Sequence, residues 1–545
     1  MTTAASTLTA GEGIVRVLLA NGVTTAFGIP GIHNLGLYDA LAGEPRIAHY
    51  LTRHEQGAAF AADGYSRVSG KPGVAIATTG PGAYNALTAI SEAYLDSSPV
   101  LLLAGQIDSE YIGRDWGILH ETIDQGAVFE QVTKFVGRPR TPDQLPEIVR
   151  DALRSMLTGR NRPAYVEMPT DLLVKPLAEP IDEVAVDVRP PLLAPDPIDV
   201  ERVAELLSRA RRPLIIAGTG VLRAWASQEL TRVAERLDAP VLVTMSGGGA
   251  IAADHPLYAG YLISRHPAVL DLLHRSDLVM VVGSRLDAQT SDRWRLPLPN
   301  LVHMDVDREV IGRIFPTRAG IVADAKPGLQ ALADALGRRG TSRVDDGWGA
   351  PAARAVPEAV VASLAPDRAP LYGFMRDLRM AMPRDVITTH DAATINSWSG
   401  YFWPTYVPEG NIWPWGSAAL GFALPIGIGA AVAAPDRRVI AFMGDGGFGF
   451  TAMELATAVR YGLNVTVVIH NDNAFSSIGK YQRMVHGREY QVELTNPDWV
   501  PFARSFGVRA KKVERWEDAA AAVVEVSREP GPAFVEIAAR IVAPF

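Results

Sequence analysis

Two aspartates carry the strongest chemical signal in this sequence. Asp445 lies in Gly444-Asp445-Gly446-Gly447, directly after the apolar run Val439–Met443. Asp472 lies in His470-Asn471-Asp472-Asn473, directly after a second apolar run, Val465–Ile469. Both runs have the length and branched composition of buried parallel strands. One strand–helix–strand unit therefore separates the two acids and brings them side by side at carboxyl strand ends, where open parallel sheets bind ligands. Mg²⁺ takes hard oxygen ligands, one or two carboxylates plus phosphate oxygens, and this pair meets that need. The glycines around Asp445 let the backbone turn sharply and approach a ligand. A helix is expected from about Ala452, opened by Thr451 and Glu454 as a Thr-x-x-Glu capping box, with backbone N–H groups suited to a phosphate. Alone, Gly-Asp-Gly and Asn-Asp-Asn are ordinary turn chemistry.

A second segment, far away in the chain, changes the weight of the first. Arg53-His54-Glu55-Gln56-Gly57 opens an Ala-rich helix, His54–Ser69, closed by Gly70. An isolated Glu there would be a response to the helix dipole. The run from Arg53 to Tyr65, however, resembles the catalytic-glutamate segment of acetolactate synthase, pyruvate oxidase and related 2-oxo acid decarboxylases. Thr79-Gly80-Pro81-Gly82-Ala83-Tyr84-Asn85 resembles the loop that meets the pyrimidine ring in that family, and the two aspartate segments resemble its thiamine diphosphate (ThDP) motif. The resemblance covers nearly the whole chain.

The resemblance implies a ThDP- and Mg²⁺-dependent enzyme. Glu55 is then the catalytic acid against the pyrimidine N1′, favouring the tautomer whose N4′ takes the thiazolium C2 proton; burial would raise its pKa to suit this. The resulting C2 ylide attacks a 2-oxo acid, CO₂ leaves, and the enamine is protonated or attacks a second carbonyl. Cofactor contacts carried over are Pro30, Pro81, Asn85, Ala418, Leu420, Gly444, Asp445, Gly446, Gly447, Asp472, Ala474 and Phe475. Of these, Asp445, Asp472 and the Ala474 carbonyl hold the metal. Leu420 wedges between the two cofactor rings, and the Ala418 carbonyl accepts from the 4′-amino group. A homodimer with sites at the subunit interface is the minimum unit implied, with homotetramers common. Asp472 stands where the family often has Asn.

The resemblance is less specific about substrate. Leu119-His120-Glu121 and Ser477-Ile478-Gly479-Lys480-Tyr481 replace Phe-Gln-Glu and Met-Val-x-Gln-Trp of acetolactate synthases at pocket positions. This weighs against that activity, which stays the second reading. The segment Gly117–Gln125 resembles the guanidino-oxopentanoate decarboxylase branch, with Glu121, Asp124 and Asp472 able to favour a cationic substrate tail. His33 and His120 are acid–base candidates, the alternative for each being a structural or surface histidine. The glycine-rich loops Gly218-Thr219-Gly220, Gly247-Gly248-Gly249 and Gly283-Ser284-Arg285 admit FAD, ADP or nothing, and FAD is not the favoured reading. A silent scaffold would be expected to lose Glu55 or Asp445, and neither is missing. A dinucleotide dehydrogenase fails because no Gly-x-Gly-x-x-Gly opens a first βαβ unit with an acid ~20 residues on.

The elements that must position these residues follow from strand–turn–helix repetition. It predicts an α/β protein of three Rossmann-like parallel-sheet domains: pyrimidine-binding (1–178), central (192–338) and diphosphate-binding (365–545). Candidate strands are Thr25–Gly28, Val74–Thr79, Pro99–Ala104, Leu214–Ala217, Val241–Thr244, Leu278–Val282, Val302–Val306, Val386–Thr389 and the two runs above. A Pro-rich linker is expected over Lys175–Pro197 and a looser one from Gly337 to Asp367. Three domains suit 545 residues. The formal charge of −8 argues against a nonspecific nucleic-acid binder. The absence of cysteine excludes disulfides, thiolate catalysis and Cys-ligated metals. With no basic n-region before an apolar core, the expected setting is the cytoplasm. The apolar stretch Ala418–Ala434 contains glycines and Pro425 and reads as a close-packed buried helix, not a membrane span.

Overall fold

The computed structural model describes residues 8–178, 181, 190–339 and 347–545. Among the described residues, three sheets, each of six strands and all parallel, follow one another along the chain. The first contains β1 (Thr25–Gly28), β2 (Ala48–Leu51), β3 (Gly73–Ala77), β4 (Val100–Gln106), β5 (Phe135–Gly137) and β6 (Ala164–Pro169), in the order β2-β1-β3-β4-β6-β5. The second contains β7 (Pro213–Ala217), β8 (Val241–Val243), β9 (Tyr258–Tyr261), β10 (Leu278–Val282), β11 (Val302–Asp305) and β12 (Ala319–Val322), in the order β12-β11-β10-β7-β8-β9. The third contains β13 (Ile387–His390), β14 (Asn411–Ile412), β15 (Val439–Gly444), β16 (Val465–His470), β17 (Arg509–Val513) and β18 (Ala533–Ile537), in the order β14-β13-β15-β16-β18-β17.

The first and third sheets thus share one strand order, where the sequence showed only a common rhythm. The central sheet has the doubly wound order of dinucleotide-binding folds. In both outer sheets the order reverses between the first and third strands, β1 and β3 or β13 and β15. A crevice opens there at the carboxyl ends, and ligands bind in such crevices.

The outer domains are mated by two helices of small residues. Glu55–Ser69 crosses Ala423–Ala433 so closely that a Cβ on Gly64 would lie 2.0 Å from the Ile426 carbonyl oxygen. A Cβ on Gly429 would lie 1.8 Å from the Ala61 carbonyl oxygen. Ala58, Ala59, Phe60, Ala61 and Ala62 of one helix share one core cluster with Leu424 and Ile426 of the other and with Phe422 just before it. The expected buried helix therefore forms, over Ala423–Ala433.

One expected linker is corrected. The Gly337–Asp367 stretch contains a helix, Ala350–Ala362, whose Ala353, Val356 and Val360 are buried in the core shared by the central and third domains. Its Ala-rich composition is that of a packed helix, which the embedded Pro357 disguised. Residues 179, 180 and 182–189 of the other expected linker lie outside the described residues. Among the described residues no helix is long and apolar enough to cross a membrane.

Candidate active site

The first domain gathers one set of predicted residues at the crevice between β1 and β3. Glu55 is the first residue of its helix, with the His54 ring nitrogen Nδ1 capping the Gln56 N–H at 3.1 Å. Its Oε2 accepts from Asn85 Nδ2 at 2.9 Å, and a Cβ on Gly82 would stand 3.3 Å from its Oε1. In the single chain Glu55 is half-buried, less sheltered than the sequence reading expected. Pro30 lies exposed in the loop that follows β1, and Pro81 lies exposed as the first residue of the helix that follows β3. Gly80, at φ +60, is braced by the buried Gln125, whose Oε1 accepts its N–H and the Thr79 hydroxyl.

His33 and His120 meet here, with ring centroids 5.1 Å apart. His33 is buried; desolvation and the neighbouring His120 hold its pKa below the usual imidazole value, with Asp108 opposing. His120 adopts φ +66, and its buried Nδ1 has no hydrogen-bond partner. Leu119 is 60% exposed beside it. Glu121 turns into its own loop: Oε2 accepts from the Gly117 and Ile118 N–H groups at 2.7 and 3.0 Å, while its buried Oε1 has no partner. Partial burial opposes ionisation there, but the backbone donors hold its pKa below the ordinary value. Asp124 caps the Gln125–Phe129 helix and pairs with Arg138 at 3.0 Å.

The third domain gathers the other set. Asp445 is 2% exposed at the end of β15. Burial pushes its carboxyl pKa up, and Asp472 at the end of β16 pushes it further, against a hydrogen bond from Asn496 Nδ2 at 2.6 Å. Two neighbouring carboxylates with a neutral amide as partner are short of positive charge. Asn496 also reaches the side-chain oxygens of Asn471 at 3.3 Å and Asn473 at 3.1 Å. Segment 492–494 pairs antiparallel with 473–475, using the Asn473 carbonyl and the Phe475 N–H. The Ala474 carbonyl is left outside that pairing. Among the described residues no three His, Cys, Asp or Glu side chains form a metal cluster. A cation here would take the two carboxylates, a carbonyl and oxygens from outside the protein, as Mg²⁺ does with phosphates. The residues present fit such a group.

The glycines of this turn serve close approach. A Cβ on Gly446 would lie 2.5 Å from the Phe475 ring, and one on Gly447 would lie 2.7 Å from Asp391 Oδ2. Asp391, unremarked in the sequence, ends β13 across the reversal from Asp445. Burial pushes it up to about 7, against donation from the Ala392, Gly421 and Phe422 N–H groups. The expected capping box does not form. The helix begins at Asp445, Thr451 donates to the Gly421 carbonyl, and Glu454 reaches the first domain. Its Oε1 accepts from the Arg53 and His54 N–H groups at 3.0 and 3.1 Å, stabilising the approach to the Glu55 helix. The local pattern mimicked a cap while both side chains serve distant backbone.

Leu420 is half-buried between two left-handed residues, Ala418 at φ +54 and Gly421 at φ +75. Asp391 and Thr451 grip Gly421 at its N–H and carbonyl, 3.0 and 2.9 Å away. Ser477 bonds Thr394 at 3.0 Å, whereas Ile478 and Tyr481 are 54% and 61% exposed on the Ser476–His486 helix. Among the described residues, no hydrogen bond or ion pair joins Glu55 or Asn85 to Asp445 or Asp472. The chain therefore presents two half-sites, each beside exposed apolar surface: Ile32, Leu35, Trp116, Leu119 and Ile123 on one, Phe450, Met453, Ile478, Tyr481 and Val485 on the other. Asn496 and Asp391 were not found from sequence, and Gln125 and Glu454 were read there without these roles, because each lies far along the chain from the motif it supports.

Comparison with known proteins agrees with this geometry. Three family models match, in order. They are the thiamine pyrophosphate enzyme N-terminal TPP binding domain over residues 8–128, the central domain over 200–332 and the C-terminal TPP binding domain over 391–537. A probable 2-ketoarginine decarboxylase of Pseudomonas aeruginosa is 37% identical, covering 93% of this chain and 89% of its own length. A probable acetolactate synthase large subunit of Methanocaldococcus jannaschii is 34% identical over 92% and 87% of the two chains. The acetolactate synthase isozyme 1 large subunit of Escherichia coli is 30% identical over 97% and 93%. With a glutamate-bearing first domain, a carboxylate pair in the third and all three domain types in order, this chain belongs to the thiamine pyrophosphate enzyme family.

Proposed function

We propose that the protein is a ThDP- and Mg²⁺-dependent decarboxylase or carboligase of a 2-oxo acid, with 2-oxo-5-guanidinopentanoate as the leading substrate. The observation that carries the reading is the charge-deficient pair Asp445–Asp472 in a chain that also offers Glu55, oriented by Asn85, at a second sheet reversal. When bound, ThDP supplies a nucleophilic carbon and an electron sink for the carboxylate that leaves. Asp445, Asp472 and the Ala474 carbonyl would hold Mg²⁺ against the diphosphate. Leu420 would separate the cofactor's rings, and the Ala418 carbonyl would accept from its 4′-amino group. Glu55 holds a proton at the pyrimidine N1′, and Asn85 fixes the carboxylate that does so. His33, kept neutral by burial, and His120, with its free Nδ1, are suited to move a proton at the reacting carbonyl.

The two half-sites support a homodimer, alone or paired into a homotetramer, in which Glu55 of one copy meets the diphosphate site of the other. Exposed apolar surface beside each half supports the same arrangement. The guanidino substrate is supported by the name of the 37% identical relative and by the unpartnered Glu121 Oε1. Acetolactate synthesis is the second reading, supported by the 34% and 30% identical relatives. Measuring CO₂ release and product from each 2-oxo acid separates them. Turnover of 2-oxo-5-guanidinopentanoate well above pyruvate is expected. Acetolactate as the main product from pyruvate, with no guanidino turnover, rejects the leading substrate.

A further inference from the structure

Glu92 lies in the last turn of the Pro81–Leu95 helix of the first domain, is fully buried, and directs its carboxylate at the third domain. Its Oε1 accepts from the Gly416 N–H at 3.0 Å and the Ser417 N–H at 3.1 Å. Its Oε2 accepts from the Ser417 hydroxyl at 2.7 Å and the Ala419 N–H at 3.1 Å. The loop lies flush on the helix: a Cβ on Gly416 would come 2.4 Å from Leu95 Cβ and 3.0 Å from Glu92 Oε1. All four partners are donors, so only an acceptor-only side chain satisfies them together. A glutamine would set its own NH₂ against one of them.

The Ala419 N–H belongs to the peptide unit whose carbonyl is that of Ala418. In a planar trans peptide the N–H and C=O point in opposite directions. Anchoring the N–H on Glu92 therefore aims the Ala418 carbonyl away from the helix. Ala418 itself is left-handed at φ +54, a conformation that persists in an alanine only where its surroundings over-determine it. The flanking Ser417 and Ala419 N–H groups, both on Glu92, supply that constraint. Other anchors grip the same loop further upstream: Arg67 donates to the Trp413 carbonyl at 3.0 Å, and Trp415 Nε1 to Asp287 and Thr290, each at 3.2 Å.

We infer that Glu92 is a positioning residue of the cofactor site, turning the Ala418 carbonyl toward the 4′-amino group of ThDP through the shared peptide. This rests on the reading of Ala418 given above. The first domain then serves two cofactors, its partner's through Glu55 and its own chain's through Glu92.

The test compares binding of ThDP with that of its 4′-oxo analogue, which lacks the amino donor. Full-length protein in Mg²⁺ buffer is titrated with each, followed by tryptophan fluorescence. One well-aimed hydrogen bond predicts that the native chain prefers ThDP by roughly tenfold, and that Glu92→Gln brings the two within about twofold. A purely structural role would weaken both ligands equally and leave the ratio intact; a Glu92→Gln protein with the native ratio overturns the inference. A native protein that binds both ligands alike overturns the Ala418 reading, and the inference with it. Should Glu92→Gln lack a cooperative thermal transition, Ser417→Ala removes one of the four donors. A lowered ratio there upholds the inference and an unchanged one overturns it.

Discussion

Glu55 combines exposure with a single firm contact, and that pairing sets what its replacement does. The side chain is half-buried and bonds only Asn85 among the described residues, so the fold owes it little. Glu55→Gln is expected to lower turnover by ~10²–10⁴-fold, the usual worth of a positioned acid–base group, while the melting temperature hardly moves. Steady-state CO₂ release and a thermal melt on the same preparation check both halves. Asp472 differs in kind. It adds negative charge beside Asp445, and an amide at that position keeps an oxygen ligand while removing the repulsion. Asp472→Asn should therefore stay active, with an Mg²⁺ requirement raised roughly tenfold or less. Complete loss of activity in a folded Asp472→Asn protein would count against the metal assignment.

At the scale of elements, close packing decides more than motif. A side chain at Gly429 has no room beside the Ala61 carbonyl, so Gly429→Val is expected to lose about 1–3 kcal/mol through forced separation of the two helices. Denaturant unfolding measures this, and a neutral result would mean that the crossing is looser than its geometry. The legibility of the elements follows the same physics. β7, β10, β15 and β16 are buried on both faces and read as continuous apolar runs. β6 and β18 are equally buried but carry Glu167 and Glu536 inside them, which broke the run and hid them. The edge strand β17 reads Arg-Ala-Lys-Lys-Val and offers no apolar signal at all. In the site, the Asp445 and Asp472 turns were visible because their chemistry is local. Asp391 and Asn496 were invisible because only the sheet brings them there.

The whole molecule responds to pH through groups buried in its interior. Burial pushes Glu409 up to about 7 against its usual 4.5, with Arg223 and Arg437 opposing. A carboxyl with a raised folded pKa favours the folded state fully below its unfolded pKa, and that advantage is lost as pH rises through the folded value. Glu409→Gln should therefore melt progressively higher relative to the native protein as pH rises from 4.5 to 7, by up to ~1.4 kcal/mol per pH unit. Matched melts at pH 5 and pH 8 give the sign. His390 works the other way. Burial holds it near 3, so its contribution is intact above 6.5 and fades as pH falls toward 3.

Assembly is tested at the same scale. Glu55→Gln and Asp445→Ala proteins should each be inactive alone. Unfolded and refolded together, they should recover roughly a quarter of native activity, because half the dimers are mixed and each mixed dimer has one intact site. No recovery would place both half-sites within one chain.

The crossing of the Glu55–Ser69 and Ala423–Ala433 helices also bears on how such chains can be recombined. Each glycine sits under a carbonyl supplied by the other domain, Gly64 under Ile426 and Gly429 under Ala61. A chimera that takes its first domain from one relative and its third from another inherits one glycine and one carbonyl of each contact from different parents. Joints placed between the sheets, where the chain looks most divisible, therefore cut through the tightest fit in the molecule. The outer two domains therefore travel as one inheritance.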